Sequence, residues 1–221
     1  MSGPFTDHLR QAAEEYLWII SKGYPQLTAL KLVGDKFMLP RDMRQILYRG
    51  VVTDEQAQSR CKKIGTIKKG DLVLIDTYNV LFTVNNYLLG RPVFISNDGL
   101  MRDAGEMRGR IINKPQFSRS ISLMLEVLLM WPGATYIHYL DEPVSHSGRL
   151  SIELCKDMVQ MGIEGDAHTV QSPDNMLKKE KSDAICTSDG GIIDQYKGRV
   201  IDLPRFLLQH YFQADFPKLI L

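Results

Sequence analysis

The sequence predicts an α/β protein in two parts: a small all-helical module over residues 1–66, then a domain with a central parallel sheet over 67–221. Apolar side chains in the first part fall at helical spacing. Beyond Lys68-Lys69-Gly70 the texture changes, and short continuous apolar runs alternate with longer amphipathic stretches. The chain has 221 residues, 44% of them hydrophobic and 24% charged, which excludes disordered, fibrous and collagen-like classes. At this length a compact chain buries roughly 70% of its unfolded surface, so no metal or disulfide is needed for folding.

In the module, Leu9, Ala12, Ala13, Tyr16, Leu17 and Ile20 follow the 3.6-residue period. Thr6 is the expected N-cap and Gly23 the stop. Pro25 opens a second helix, a third runs over 41–49 to Gly50, and Thr53-Asp54-Glu55 opens a fourth. The break at Pro40 also allows a helix-turn-helix, although most such pairs are packing hairpins. In the second part, strands are expected at 71–76, 134–141, 166–172, 183–189 and 199–203, and helices at 117–131, 148–161 and 173–181. Ser172 and Pro173 start the last of these helices. The stretch 78–116 reads as a long functional excursion with one short strand near 91–95.

The net charge of +1 conceals an asymmetry: residues 41–69 hold eight basic and three acidic side chains. A basic segment beside an acidic domain suits a polyanion held near a carboxylate site, and a solvated face is the alternative. Three cysteines without CxxC spacing fit a reduced, cytoplasmic protein and argue against structural zinc. The longest apolar run, 121–131, is too short for a bilayer and contains Glu126, so no membrane partner is expected. No signal peptide is expected, because Asp7, Glu14 and Glu15 fall in the first twenty residues.

In open parallel sheets, ligands bind beyond the carboxyl ends of the strands. Four expected strand ends carry acids: Asp76, Asp141, Asp174 just beyond the third strand, and Asp189. Grouped carboxylates raise one another's pKa, and a hard dication, Mg²⁺ or Mn²⁺, relieves that repulsion and supports phosphodiester cleavage. Single aspartates are more often turn or helix caps. Asp183 is assigned to structure, because a strand over 183–189 puts it about 20 Å from Asp189. An aspartyl-phosphatase is disfavoured, since Tyr78 stands where a second acid is required. The histidines lack HExxH spacing, and no GK[ST] follows the glycines. Asp98 and Asp103 are turn caps or further ligands. Arg102, Arg108 and Arg110 of the excursion, with Lys62 and Lys63, are candidate phosphate contacts. Asn79 and Ser188 are candidates for orienting water or ligand.

Ile75-Asp76-Thr77-Tyr78-Asn79 resembles the first strand of PIN and NYN ribonuclease domains. Tyr139-Leu140-Asp141 and Thr187-Ser188-Asp189 are similar to their later acidic strand ends. More closely, Leu30-Lys31-Leu32-Val33-Gly34, Leu89-Gly90-Arg91-Pro92-Val93 and Asn97-Asp98-Gly99-Leu100-Met101-Arg102-Asp103 resemble the pattern of the family called domain of unknown function 434. That resemblance covers nearly the whole chain. It implies a helical module joined to a three-layer PIN-like domain. The implied activity is a divalent-metal-dependent ribonuclease, with metal at Asp76, Asp141 and Asp189 and help from Asp174. RNA is the implied partner, with DNA as the alternative. A non-catalytic RNA-binding or assembly protein on the same scaffold is the rival. The oligomeric state is open, a homodimer being one option. Thr77 stands where the ribonucleases usually have Gly, and only Glu126 offers a helix-borne glutamate.

Overall fold

A computed structural model describes residues 5–105 and 115–219. Four helices come first: α1 (Asp7–Ser21), α2 (Gln26–Lys36), α3 (Arg41–Gly50) and α4 (Asp54–Cys61). The Thr6 hydroxyl accepts from Leu9 N at 3.3 Å, as the N-cap expectation required. Thr53 and Gln56 close a reciprocal capping box on α4. Leu9, Ala13, Tyr16, Val33 and Leu47 share a core with Phe94, Ala104 and Leu219 from the second half of the chain. Helix α3 ends at Gly50, packed so closely on the Phe94 ring that a Cβ there would stand 2.5 Å from it.

The main sheet is formed by β1 (Leu72–Asp76), β4 (Thr135–Asp141), β5 (Gly165–Val170), β6 (Ala184–Cys186) and β7 (Arg199–Val200). These pair in parallel in the order β5-β4-β1-β6-β7. A two-stranded hairpin, β2 (Val93–Ile95) with β3 (Met101–Asp103), stands apart from it. Side chains alternate across β1: Val73 and Ile75 enter one core and Leu74 the other. The first core is covered by α5 (Thr77–Leu88), α6 (Pro115–Leu128), α7 (Ser147–Met161) and α10 (Leu203–Phe212). The second is covered by α8 (Pro173–Lys179) and α9 (Gly190–Gln195). Helices therefore flank the sheet on both faces, as parallel crossovers require.

Several expectations are corrected. The stretch after Asp76 begins with a helix: Val80, Leu81 and Val84 lie on one buried face of α5, and Asp76 caps it by accepting from Asn79 N. The fourth expected strand stops at Cys186 because the Thr187 and Ser188 side chains turn into side-chain hydrogen bonds. Gly190 and Gly191, which follow Asp189, form the first turn of α9, capped by Asp189. Helix α10 was not anticipated; Asp202 and Pro204 start it.

Candidate site at the carboxyl ends of the strands

The sheet order reverses beside β1: the chain moves outward to β4 and β5, then crosses back to β6 and β7. Such a switch point opens a crevice at the carboxyl ends. Asp76 ends β1, and Thr187 and Ser188 follow β6, so the two sides of the crevice are bonded together. The Thr187 hydroxyl donates to Asp76 Oδ2 at 3.0 Å. Asn79 Oδ1 accepts from Ser188 N at 2.8 Å and from its hydroxyl at 2.9 Å.

Burial pushes the Asp76 carboxyl up to about 7, and Asp141 and Asp174 add to the rise. The Thr187 hydroxyl and Asn79 amide oppose it. Burial also raises Asp141, with Asp174 contributing. Asp76, Asp141 and Asp174 thus form one electrostatic group, with Asp76 buried and Asp174 exposed. Tyr78 is 2% exposed, and its hydroxyl has no hydrogen-bond partner among the described residues. Burial and the charge of Asp141 push it up to about 12. Among the described residues, no three histidine, cysteine or carboxylate side chains stand close enough together to hold a metal ion.

Asp189 faces another way. Its Oδ1 caps α9, accepting from Gly191 N at 2.7 Å and Ile192 N at 3.1 Å. It lines a cavity of about 470 Å³ with Tyr48, Arg49, Arg60, Asn79 and Arg102. These arginines are engaged internally. Arg49 pairs with Asp103 at 3.0 Å, and Arg60 with Asp98 at 3.1 Å and Asp194 at 2.6 Å. Arg102 pairs with Asp98 at 2.9 Å. Arg102, a candidate phosphate contact, is 4% exposed and committed to Asp98. Asp98 and Asp103 are buried partners of arginines, and each also caps a turn, Asp98 accepting from Leu100 N at 3.1 Å and Asp103 from Gly105 N at 3.0 Å. Arg108 and Arg110 lie outside the described residues.

The basic segment does not stand beside the carboxylates as a whole. Lys62 and Lys63 sit at the amino ends of the strands, because Ile64 bridges Val200 and Val200 N donates to Lys63 O at 2.8 Å. Asp183 is structural: Oδ2 accepts from Leu72 N at 2.9 Å, where β1 begins. Thr187 was missed by sequence reasoning; its place directly after an apolar strand was the available signal. Tyr78 was considered only as an obstacle to phosphatase chemistry.

Residues 66–206 match the family described as "Domain of unknown function (DUF5616)". The chain belongs to that family. Residues 8–63 match "Protein of unknown function (DUF434)", so the resemblance read from motifs over nearly the whole chain is confined to the helical module. The chain is also similar to the uncharacterized protein MJ0935 of Methanocaldococcus jannaschii. The two are 29% identical over 198 residues, covering 88% of this chain and 94% of that protein. No solved structure matches. Among the described residues no helix is long and apolar enough to cross a membrane.

Proposed function

We propose that this DUF5616 protein is a divalent-metal-dependent phosphodiesterase acting on RNA, with a PIN-like acidic site at the sheet's switch point. One observation carries the reading: the buried Asp76 ends the central strand with Asp141 and Asp174 near enough to raise its pKa. Like charges held together around a buried carboxylate are stabilised by a cation, and an all-oxygen donor set suits Mg²⁺ or Mn²⁺. The orphaned Tyr78 hydroxyl beside Asp141 adds an unsatisfied polar atom to the same place. These residues fit such an ion in donor chemistry; closing Asp76, Asp141 and Asp174 onto one is part of the proposal. The ion supplies charge neutralisation at a phosphoryl oxygen. The protein's own contribution is orientation. Thr187 fixes one Asp76 oxygen, and Asn79 ties the α5 turn to Ser188. Asp189, turned into the neighbouring cavity, is a substrate-side residue in this reading.

The second reading is a non-catalytic RNA-binding or assembly protein. It is favoured by the closed pairing of Arg49, Arg60 and Arg102, which takes up the cations of the adjoining cavity that catalysis would aim at a phosphate. Calorimetric titration with Mn²⁺, alongside cleavage of a single-stranded RNA with Mn²⁺ or EDTA, separates them. Metal uptake and cleavage that both vanish in Asp76→Asn support the first. Cleavage that survives EDTA, or that persists in Asp76→Asn, refutes it.

A further inference from the structure

We propose that the amino edge of the sheet is a second polyanion-binding face, one that takes the phosphate backbone of single-stranded RNA. A cavity of about 450 Å³ opens there between Lys62, Lys63, Lys197 and Arg199, with Ser182 and Asp183 on its wall. The side chains of Lys62 and Lys197 are exposed and make no hydrogen bond or ion pair among the described residues. Lys63 donates to Ile193 O at 2.6 Å and to Asp194 O at 3.4 Å, and keeps its third N–H and its charge for a ligand. Arg199 is neutralised by Asp71 at 2.6 Å, and the Asp183 carboxylate is occupied by Leu72 N. Asp183 keeps its negative charge, and the three lysines outnumber it, so the cavity carries a net positive charge.

That charge continues along the same edge. Lys68 and Lys69 are exposed in the turn before β1, and Lys179 and Lys181 are exposed before β6. These cations come from three separate stretches of sequence and meet only because parallel strands start at one edge. The acids of the proposed metal site lie at the other edge, about 13 Å away along the five residues of β1. A row of cations crossing several strands matches an extended polyanion better than a single phosphate group. No aromatic side chain lines the cavity, so recognition runs through phosphates and is indifferent to base sequence. This inference does not depend on whether the carboxyl edge is catalytic.

The test is fluorescence anisotropy of the full chain with labelled oligouridylate in EDTA over a series of KCl concentrations. In Lys62→Gln/Lys197→Gln the affinity at low salt should fall about tenfold, and the slope of log K against log salt should shrink by about 1.4, two single-strand contacts. The control is Lys31→Gln/Lys156→Gln, which removes the same charge from exposed positions on α2 and α7 and should leave binding intact. The EDTA keeps metal from the carboxyl edge, which separates this outcome from that of the metal site. An unchanged slope in the first variant, or equal weakening in the control, overturns the proposal. Binding to phosphatidylserine vesicles without binding to RNA overturns it too, by assigning the face to a membrane.

Discussion

Asp76 and His138 sit near one another in the sheet, but their stabilities respond to pH in opposite directions. His138 pairs beside Ile75 in register and is fully buried, and among the described residues its ring has only Thr77 Oγ1, at 3.2 Å, as a hydrogen-bond neighbour. Burial lowers it to about 4 from an ordinary value of 6.5. The unfolded chain therefore binds the proton more tightly between those values, and stability is lost as pH falls through that window. Asp76 is the reverse. Its folded value of about 7 lies above the ordinary 3.8, so the folded chain holds the proton more tightly and stability falls as pH rises from about 4 to about 7. Asp76→Asn keeps an acceptor for the α5 cap and removes the buried charge. Its melting temperature should exceed wild type at pH 8 and match it near pH 4, a gain on the order of 2–4 kcal/mol in the metal-free protein. His138→Leu should remove the acid-side loss and leave the Asp76 effect unopposed, so that its stability falls more steeply than wild type between pH 4 and pH 7. A wild-type-like pH profile in either variant would show that the residue is not buried as described.

At the scale of elements, α4 is fastened to the rest of the protein by one buried ion cluster. Arg60 and Arg102 converge on Asp98, which is 1% exposed and also takes a hydrogen bond from the Ser96 hydroxyl. Gly190 permits this approach, since a Cβ there would stand 2.6 Å from the Arg60 guanidinium. Asp98→Ala leaves two arginines without their shared counterion in a dry site. Chemical denaturation should report a loss of about 3–5 kcal/mol. A loss below about 1 kcal/mol, the size of an exposed pair, would place the cluster in solvent. Elements whose signals are local were legible in the sequence. The Thr6 and Thr53 caps, the Ser172-Pro173 start and the apolar runs of β1 and β4 need nothing beyond their neighbours in the chain. Helix α5 was hidden because Thr77, Asn79, Thr83, Asn85 and Asn86 look like loop residues. The side chains of Thr77, Asn79, Thr83 and Asn86 are instead held by partners distant in sequence, such as Asp103 for Thr83 and Asn86. The carboxylates at strand ends could be named from the pattern of runs. Which of them face one another could not, because Asp189 turns away to cap α9 and that depends on where β6 stops.

The whole molecule is less divisible than its two-part sequence suggests. Phe94, Ala104 and Leu219 belong to the core of the helical module, and Arg49 and Arg60 reach across to Asp103 and Asp98. Residues 67–221 expressed alone would expose that apolar patch and strip the counterions from buried acids. Such a fragment should bind a hydrophobic dye and lose its near-ultraviolet dichroism, and adding residues 1–66 in trans should restore it. A fragment with native dichroism and no dye binding would show two independent domains.

The place of β1 in the sheet also fixes a timetable. Leu74 lies beside Ile137, 63 residues later, and beside Ile185, 111 residues later. At about 5–20 residues per second of synthesis, the apolar strand leaves the ribosome roughly 6–20 seconds before its second neighbour exists. The four helices that precede it are by then complete, and most of their contacts are local. The nascent chain thus passes through an interval in which a formed module carries an unpaired Leu-Val-Leu-Ile strand, and that interval is where aggregation or chaperone capture would act.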